Sequence, residues 1–405
     1  MSLITHSTFS NQNVIFPTNS TDNFLGLFKN CTNLVDASDL ILPAKTLTPH
    51  CYESMFEGCK NLINGPTTLP AETLALSCYE SMFSGCEKLV DTPTCKAKNT
   101  YARCFANMFL NCKKITSVMP FNNSFVFYKT ADKTESYKYS EEMLCMYKNC
   151  IALTSIYNTF DHGFTPSCYE SMFEGCTSLS NTITFVNTQS TSDDGDPGLL
   201  KSRCCAKMYL GTSVTVATFP PINNSDKLEF FYNNGGNLVR IPSNHFESMY
   251  NNCKSITSVS LSNVDGGDHM FYETFKSCTS LTTINISFST ISDYTACNMF
   301  DGCSSLKNIT LSISDIRTST DDQSNTIYAS NCCDHMFNNC TGLIKVENTI
   351  TFGTGVYLTY QFCKGMFYKC TSLTTMAITL PFYGNTTTDE NSNDTRGDSA
   401  CINMF

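Results

Sequence analysis

The sequence predicts an α/β solenoid, a stack of about 13 short helix–turn–strand units. Three observations predict it. The string CYESMFEGCKNL at Cys51–Leu62 returns as CYESMFSGCEKL at Cys78–Leu89 and as CYESMFEGCTSL at Cys168–Leu179. Weaker copies fill most of the remaining chain, each with an aromatic residue directly after the central Met or its substitute. After each copy, apolar residues alternate with polar ones, as in Leu281, Ile284 and Ile286 or Leu306, Ile309 and Leu311, which is strand periodicity.

Counting from the central Met as 0, Cys51, Tyr52, Met55, Phe56 and Cys59 fall at −4, −3, 0, +1 and +4. Residues three and four apart share a helix face, so this spacing predicts a short amphipathic helix. Leu62 and the alternating residues then predict a turn and a strand. The predicted core ladder is Met55, Phe56, Cys59 and Leu62, then Met82, Phe83, Cys86 and Leu89, and later Met172, Phe173, Cys176 and Leu179. No unit could bury its apolar face alone, whereas stacked units share one continuous core.

Residues 1–23 lack the repeat and read as an N-terminal cap or as an arm that docks elsewhere. The solenoid occupies 24–405. Met82 follows Met55 by 27 residues and Met108 follows Met82 by 26, but later steps reach 36 to 38. The additional residues fall between strand and next helix, as polar inserts near 125–142, 184–203, 312–331 and 381–400. Their shared register predicts that they leave one edge, which in repeat proteins is often the binding face. The step from Phe231 to Met249 is only 18 residues, so a kink or compressed rung is expected around Phe231 and Tyr232.

The 24 cysteines would suit a secreted disulfide scaffold. Their placement favours another reading. Eleven of them, from Cys31 and Cys59 to Cys370, recur at +4, where one small buried thiol per rung packs like an apolar residue. Bridges between adjacent rungs remain open on spacing alone. Charged residues make up 15% of the chain, net charge is −10, and no Lys/Arg stripe is present, so nucleic acid is not an expected partner. No run approaches the roughly 20 apolar residues of a membrane span. The N-terminal stretch has neither the basic start nor the apolar run of a secretory signal, so export is not expected.

The M-F-x-x-C-x-x-L string, with LPAKTL at Leu42–Leu47 and LPAETL at Leu69–Leu74 leading into Cys-Tyr, resembles the BspA-type leucine-rich repeats over residues 24–405. That family occurs in surface proteins of gut and oral bacteria, in parasitic protists and in viruses of gut bacteria. The resemblance implies a leucine-rich-repeat-like, non-enzymatic solenoid used for adhesion or protein contact, with no catalytic residues to carry over. Together with the missing export signal, it leads to the expectation of a bacteriophage virion surface component, a fibre, decoration or host-attachment protein. Its partners would be other virion proteins or a host receptor or glycan. A cell-surface adhesin is the alternative, and a glycan-processing enzyme on a repeat scaffold is the third reading.

Candidate chemistry is sparse. Cys332, Cys333, Asp334 and His335 form a metal-like cluster, but Cys332 fills the −4 slot of the repeat, and zinc would need a second ligand pair. Asp193, Asp194 and Asp196 sit in a polar insert without the ligating Glu that an EF-hand loop carries at its twelfth position. Arg396 and Asp398 belong to an Arg-Gly-Asp string, which polar loops contain by chance. These five residues are candidate contact points. No catalytic residue, cofactor or metal ligand is assigned. Cys401 to Phe405 begin another copy that stops at +1, so either the chain continues past Phe405 or Met404 and Phe405 are expected to mark an open end that a partner or a second copy covers.

Overall fold

The protein is represented by a computed structural model. It describes residues 23–98, 100–121, 141–156, 159–160, 166–185, 202–219, 231–234, 237–240, 244–320, 326–347, 349–356, 359–380, 401 and 403–405. The chain divides into two compact units, Met1–Ser213 with Thr218–Pro221 and Val214–Ala217 with Ile222–Phe405. Each is a parallel β-solenoid of stacked rungs.

The predicted helix is absent from the described residues of every rung, and the reason lies in the backbone. In the rung centred on Met55, alternate N–H groups leave the rung: Tyr52, Ser54, Phe56 and Gly58 donate to the carbonyls of Cys78, Glu80, Met82 and Ser84 at 2.8–3.0 Å. The intervening residues close tight turns, with Met55, Glu57 and Cys59 donating to Tyr52, Ser54 and Phe56. Every second turn places its third residue in the left-handed region, as at Ser54 (φ 55°) and Gly58 (φ 73°), which is the geometry of a type II turn. The pattern recurs at Ser81 and Gly85, Asn107 and Asn111, Ser171 and Gly175, and Asn298 and Gly302. The inward positions thus repeat every four residues. Over nine residues that period is hard to separate from the 3.6 of a helix, which is why the spacing misleads. A helix would satisfy its N–H groups internally, whereas these turns satisfy half of theirs through the next rung.

In the first unit the rungs centre on Leu27, Met55, Met82, Met108, Met146, Met172 and Met208. Their connecting segments pair only briefly. β1 (Thr68–Leu69) lies parallel to β2 (Thr94–Cys95), and β3 (Thr159–Phe160) lies parallel to β4 (Thr184–Phe185). Pro43, Pro66, Pro70, Pro93 and Pro120 occupy these connectors, and proline cannot donate to a ladder.

The second unit contains an antiparallel hairpin, β5 (Phe231–Asn234) with β6 (Asn237–Arg240), in which Tyr232 pairs with Val239. The compressed rung expected at Phe231 and Tyr232 is therefore a hairpin. Its rungs centre on Met249, Thr274, Met299, Met336 and Met366, with a last segment ending at Met404. The strands here are long: β7 (Ser258–Asp265), β8 (Thr283–Thr290) and β9 (Asn308–Asp315). Val259 pairs with Ile284 and Ile284 with Ile309, so the alternation seen in the sequence forms the sheet as expected. Farther along, β10 (Thr318–Thr320) pairs antiparallel with β11 (Thr326–Tyr328), β12 (Lys345–Glu347) precedes β13 (Ile350–Gly355), and β14 (Thr375–Ala377) lies parallel to β12. The four-stranded sheet has the order β13-β9-β8-β7. The insert placed near 312–331 thus begins inside β9 and contains a hairpin. Most of the inserts near 125–142, 184–203 and 381–400, and nearly all of the cap or arm at 1–23, lie outside the described residues.

Two columns of rings run through the core. At +1 in the first unit, Phe28, Phe56, Phe83, Phe109, Tyr147, Phe173 and Tyr209 stack with centroids 5.3–5.8 Å apart. Tyr250, Phe275, Phe300, Phe337 and Phe367 do the same in the second unit at 5.5–5.6 Å. The other column, at −3, stacks Phe24, Tyr52, Tyr79 and Phe105.

Candidate functional site

The ladder residues point inward. Met55, Phe56, Cys59, Leu62, Met82, Phe83, Cys86, Leu89, Met172, Phe173, Cys176 and Leu179 are all at most 2% exposed. The +4 thiols have a task beyond filling space. Cys59 donates to the Phe28 carbonyl at 3.0 Å, Cys86 to Phe56 at 3.1 Å, Cys176 to Tyr147 at 3.0 Å and Cys303 to Phe275 at 3.2 Å. Each adds a second donor to a carbonyl of the neighbouring rung that already accepts the N–H closing its own turn. Burial pushes the Cys59 thiol up to about 11 and the Cys176 and Cys303 thiols up to about 12. These thiols are donors and not nucleophiles.

Cys332 and Cys333 are buried, while Asp334 and His335 are half-buried, with His335 Nδ1 hydrogen-bonded to Asp334. Among the described residues no group of three or more His, Cys, Asp or Glu side chains could hold a metal ion. Asp193, Asp194, Asp196, Arg396 and Asp398 lie outside the described residues. Met404 is buried and Phe405 is 68% exposed, its ring stacked 6.4 Å from Phe367. A shallow depression of ≈ 230 Å³ in the first unit, lined by Asp91, Thr92, Ser117 and Ser155 among others, is smaller than the roughly 300–1,000 Å³ of a ligand pocket.

The outward side chains of the turns are the other described feature of each rung. In the first unit these are ion pairs between rungs. Arg103 grips Glu80 with both Nε and Nη2, at 3.1 and 2.6 Å, and also contacts Glu141. Arg203 grips Glu170 in the same way, at 3.1 and 2.7 Å. Lys29–Glu57 and Lys148–Glu174 add further pairs at 2.9 Å.

In the second unit some of these slots carry Tyr or His. His269 and Tyr294, at −5 in adjacent rungs, stack with centroids 4.7 Å apart, and Tyr272 lies 5.9 Å from His269. Tyr368 meets His335 edge-on at 6.4 Å, and Lys369 Nζ lies 5.2 Å over the Tyr368 ring. Gln361 donates to the Tyr360 hydroxyl at 3.0 Å. Tyr360 and Tyr368 are 43% and 40% exposed. Lys276 bridges Glu273 (2.8 Å) and Asp301 (3.4 Å), and Asn338 donates to Asp301 at 2.9 Å. Burial raises the Tyr272 and Tyr294 phenols, so both stay neutral and able to donate. This is an amphipathic surface of rings with polar tips, set on a hydrogen-bonded scaffold. The sequence reading does not find it, because the repeat is defined by its inward slots. The signal lies in outward slots, −5 for His269 and Tyr294, −2 for Tyr272, +2 for Tyr368 and −6 for Tyr360.

No family model matches the sequence, and no curated protein matches it. Among solved structures, the chain is similar to a leucine-rich repeat protein from Bacteroides ovatus ATCC 8483, at 14% identity and a TM-score of 0.39, covering 87% of this chain and 74% of that one. It is also similar to a leucine-rich cell surface protein from Faecalibacterium prausnitzii A2-165, at 14% identity and a TM-score of 0.30, covering 83% of each chain.

Proposed function

We propose that the chain is a non-enzymatic binding scaffold and that the Tyr/His surface of its second unit contacts a protein partner. The observation that carries this reading is the set of partly exposed rings at His269, Tyr272, Tyr294, Tyr360 and Tyr368, held on the hydrogen-bonded rungs centred on Thr274, Met299 and Met366. Tyrosine brings a large amphipathic contact at little entropic cost and is enriched where interfaces concentrate their energy. The narrower reading, a bacteriophage virion surface component, rests on the sequence reading alone. A cell-surface adhesin is its alternative.

Cross-linking mass spectrometry on the native assembly, then a binding assay with the partner it identifies, tests the proposal. Tyr360→Ala with Tyr368→Ala should weaken that binding at least about tenfold, the loss of one strong contact, with little change in the melting temperature. Cross-links confined to the first unit, or undiminished binding by the double variant, would refute the surface assignment. Absence of the protein from purified particles would refute the virion reading and leave the surface assignment standing.

A further inference from the structure

The −3 slot changes along the chain. Early rungs fill it with Tyr52, Tyr79 and Phe105, whereas the last three rungs place Cys333, Cys363 and Cys401 there. Cys363 and Cys401 occupy equivalent positions on adjacent rungs, which are joined by the Phe367 N–H to the Met404 carbonyl at 2.8 Å. Hydrogen-bonded neighbours of this kind lie about 4.8 Å apart, inside the Cα range of roughly 4.4–6.8 Å that a disulfide requires. The two side chains are near enough to perturb each other's ionisation. Cys363 is fully buried, and Cys401 is half-buried.

We propose that Cys401 and Cys363 form a thiol–disulfide exchange site, with Cys401 as the attacking thiol, Cys363 as the resolving thiol and a low-molecular-weight disulfide as oxidant. The Cys401 thiolate attacks one sulfur of glutathione disulfide. The new bond joins Cys401 Sγ to glutathione, the original S–S bond breaks, and one glutathione thiolate leaves. Cys363 then attacks Cys401 Sγ and expels the second glutathione, which takes up the Cys363 proton. Two protein thiols are oxidised, one glutathione disulfide is reduced to two thiols, and residues 364–400 become a covalently closed loop. The reverse exchange, with excess glutathione, reopens it.

The neighbouring thiols explain why the site is local. The Cys363 thiol favours a thiolate on Cys401 and lowers it to about 7, against an ordinary thiol value of 9.0. Attack is fastest for an accessible thiol whose pKa lies near ambient pH. Cys340 and Cys370 are the comparable pair at +4, where the Cys340 thiol likewise lowers Cys370, but each donates to a carbonyl, of Phe300 and Phe337, at 3.3 and 3.1 Å, and both are buried, whereas Cys401 is half-buried. Cys31 is exposed, but the thiol above it, Cys59, is buried and donates to the Phe28 carbonyl.

The test is peptide mapping without reduction, on the full chain after incubation with glutathione disulfide at pH 7. The expected main intramolecular product is a Cys363–Cys401 link, reversed by excess glutathione. In the unoxidised protein, iodoacetamide should label Cys401 at least about tenfold faster than the buried Cys104. Cys363→Ala should leave glutathione attached to Cys401, because nothing resolves it, and Cys401→Ser should give neither product. A main link between any other pair, equal labelling of Cys401 and Cys104, or a Cys363→Ala chain that carries no glutathione at Cys401 would overturn the proposal. The link is read by mass and needs no binding partner, so its failure leaves the proposed function untouched.

Discussion

The two units share one turn architecture and differ in the segment that leaves each turn. Both stack an aromatic ring at +1 of every rung and hang alternate N–H groups on the next rung. Beyond the turn, the first unit passes through Pro-containing connectors and pairs two residues at a time, whereas the second enters β7, β8 and β9, each eight residues long. The outward faces differ in parallel: bidentate Arg–Glu grips in one, Tyr and His in the other. The turn stack is thus the element common to both units, and the sheet is an addition in one. Where backbone pairing after the turn is short, the outer face is tied by charge. In the second unit that face carries rings beside the Lys276 contacts to Glu273 and Asp301.

The largest expected effect addresses whether the turn stack carries both units. Phe173→Ala in the first and Phe300→Ala in the second remove fully buried rings from equivalent slots. Each should cost about 3–5 kcal/mol in chemical denaturation. A much smaller loss at Phe300 would break the equivalence and assign the second unit's stability to its sheet.

Next come the left-handed +3 positions. A Cβ at Gly58 would lie 2.2 Å from Asn30 Oδ1, whereas at Gly302 its nearest neighbour is Ser277 Oγ at 3.4 Å. Both have φ near +75°, so Ala at either carries backbone strain of about 1–2 kcal/mol. Gly58→Ala should cost more than Gly302→Ala, because Asn30 must also move. Equal losses in denaturation would mean that the first rung yields freely.

The rung-to-rung charges should have a smaller effect. Arg103→Ala releases Glu80 and Glu141, yet the Arg103 side chain is 35% exposed. Screening by water limits the loss to about 1 kcal/mol or less, and added salt should shrink it further. A loss that salt does not reduce would show that the guanidinium acts by packing, and the contrast between charged and aromatic faces would lose its electrostatic side.

The same contrast separates the legible parts of the sequence from the illegible ones. The repeat register, the buried slots and the strands through Val259, Ile284 and Ile309 were legible because burial alternates wherever a pleated strand covers a core. The turns were not, since inward residues four apart satisfy a helical reading over one and a half turns. The correcting signal was the Ser or Asn at −1 paired with Gly or Asn at +3, residue types that visit the left-handed region with least strain. The hairpin at Phe231–Arg240 escaped because Phe231 and Tyr232 mimic the repeat's apolar–aromatic pair. The Tyr/His surface escaped for a different reason. Outward residues owe nothing to packing, so no periodicity announces them.

The last contrast concerns phenol against phenyl in the aromatic columns. The second unit uses Phe at several slots where the first uses Tyr, and two tyrosines of the first unit differ in a way that predicts opposite signs. The Tyr147 hydroxyl is buried and accepts the Met119 N–H at 2.8 Å. Tyr147→Phe leaves that donor unpaired and should cost about 1–3 kcal/mol. The Tyr79 ring stacks between Tyr52 and Phe105, and its buried hydroxyl has no hydrogen-bond partner among the described residues. Tyr79→Phe keeps the ring and removes a group that burial penalises, so stability should hold or rise by up to about 1 kcal/mol. A loss on the scale of Tyr147→Phe would mean that ordered water bonds the Tyr79 hydroxyl. The −3 column of the first unit would then be a hydrated seam, unlike the Phe246–Phe271 pair that fills the same slot in the second.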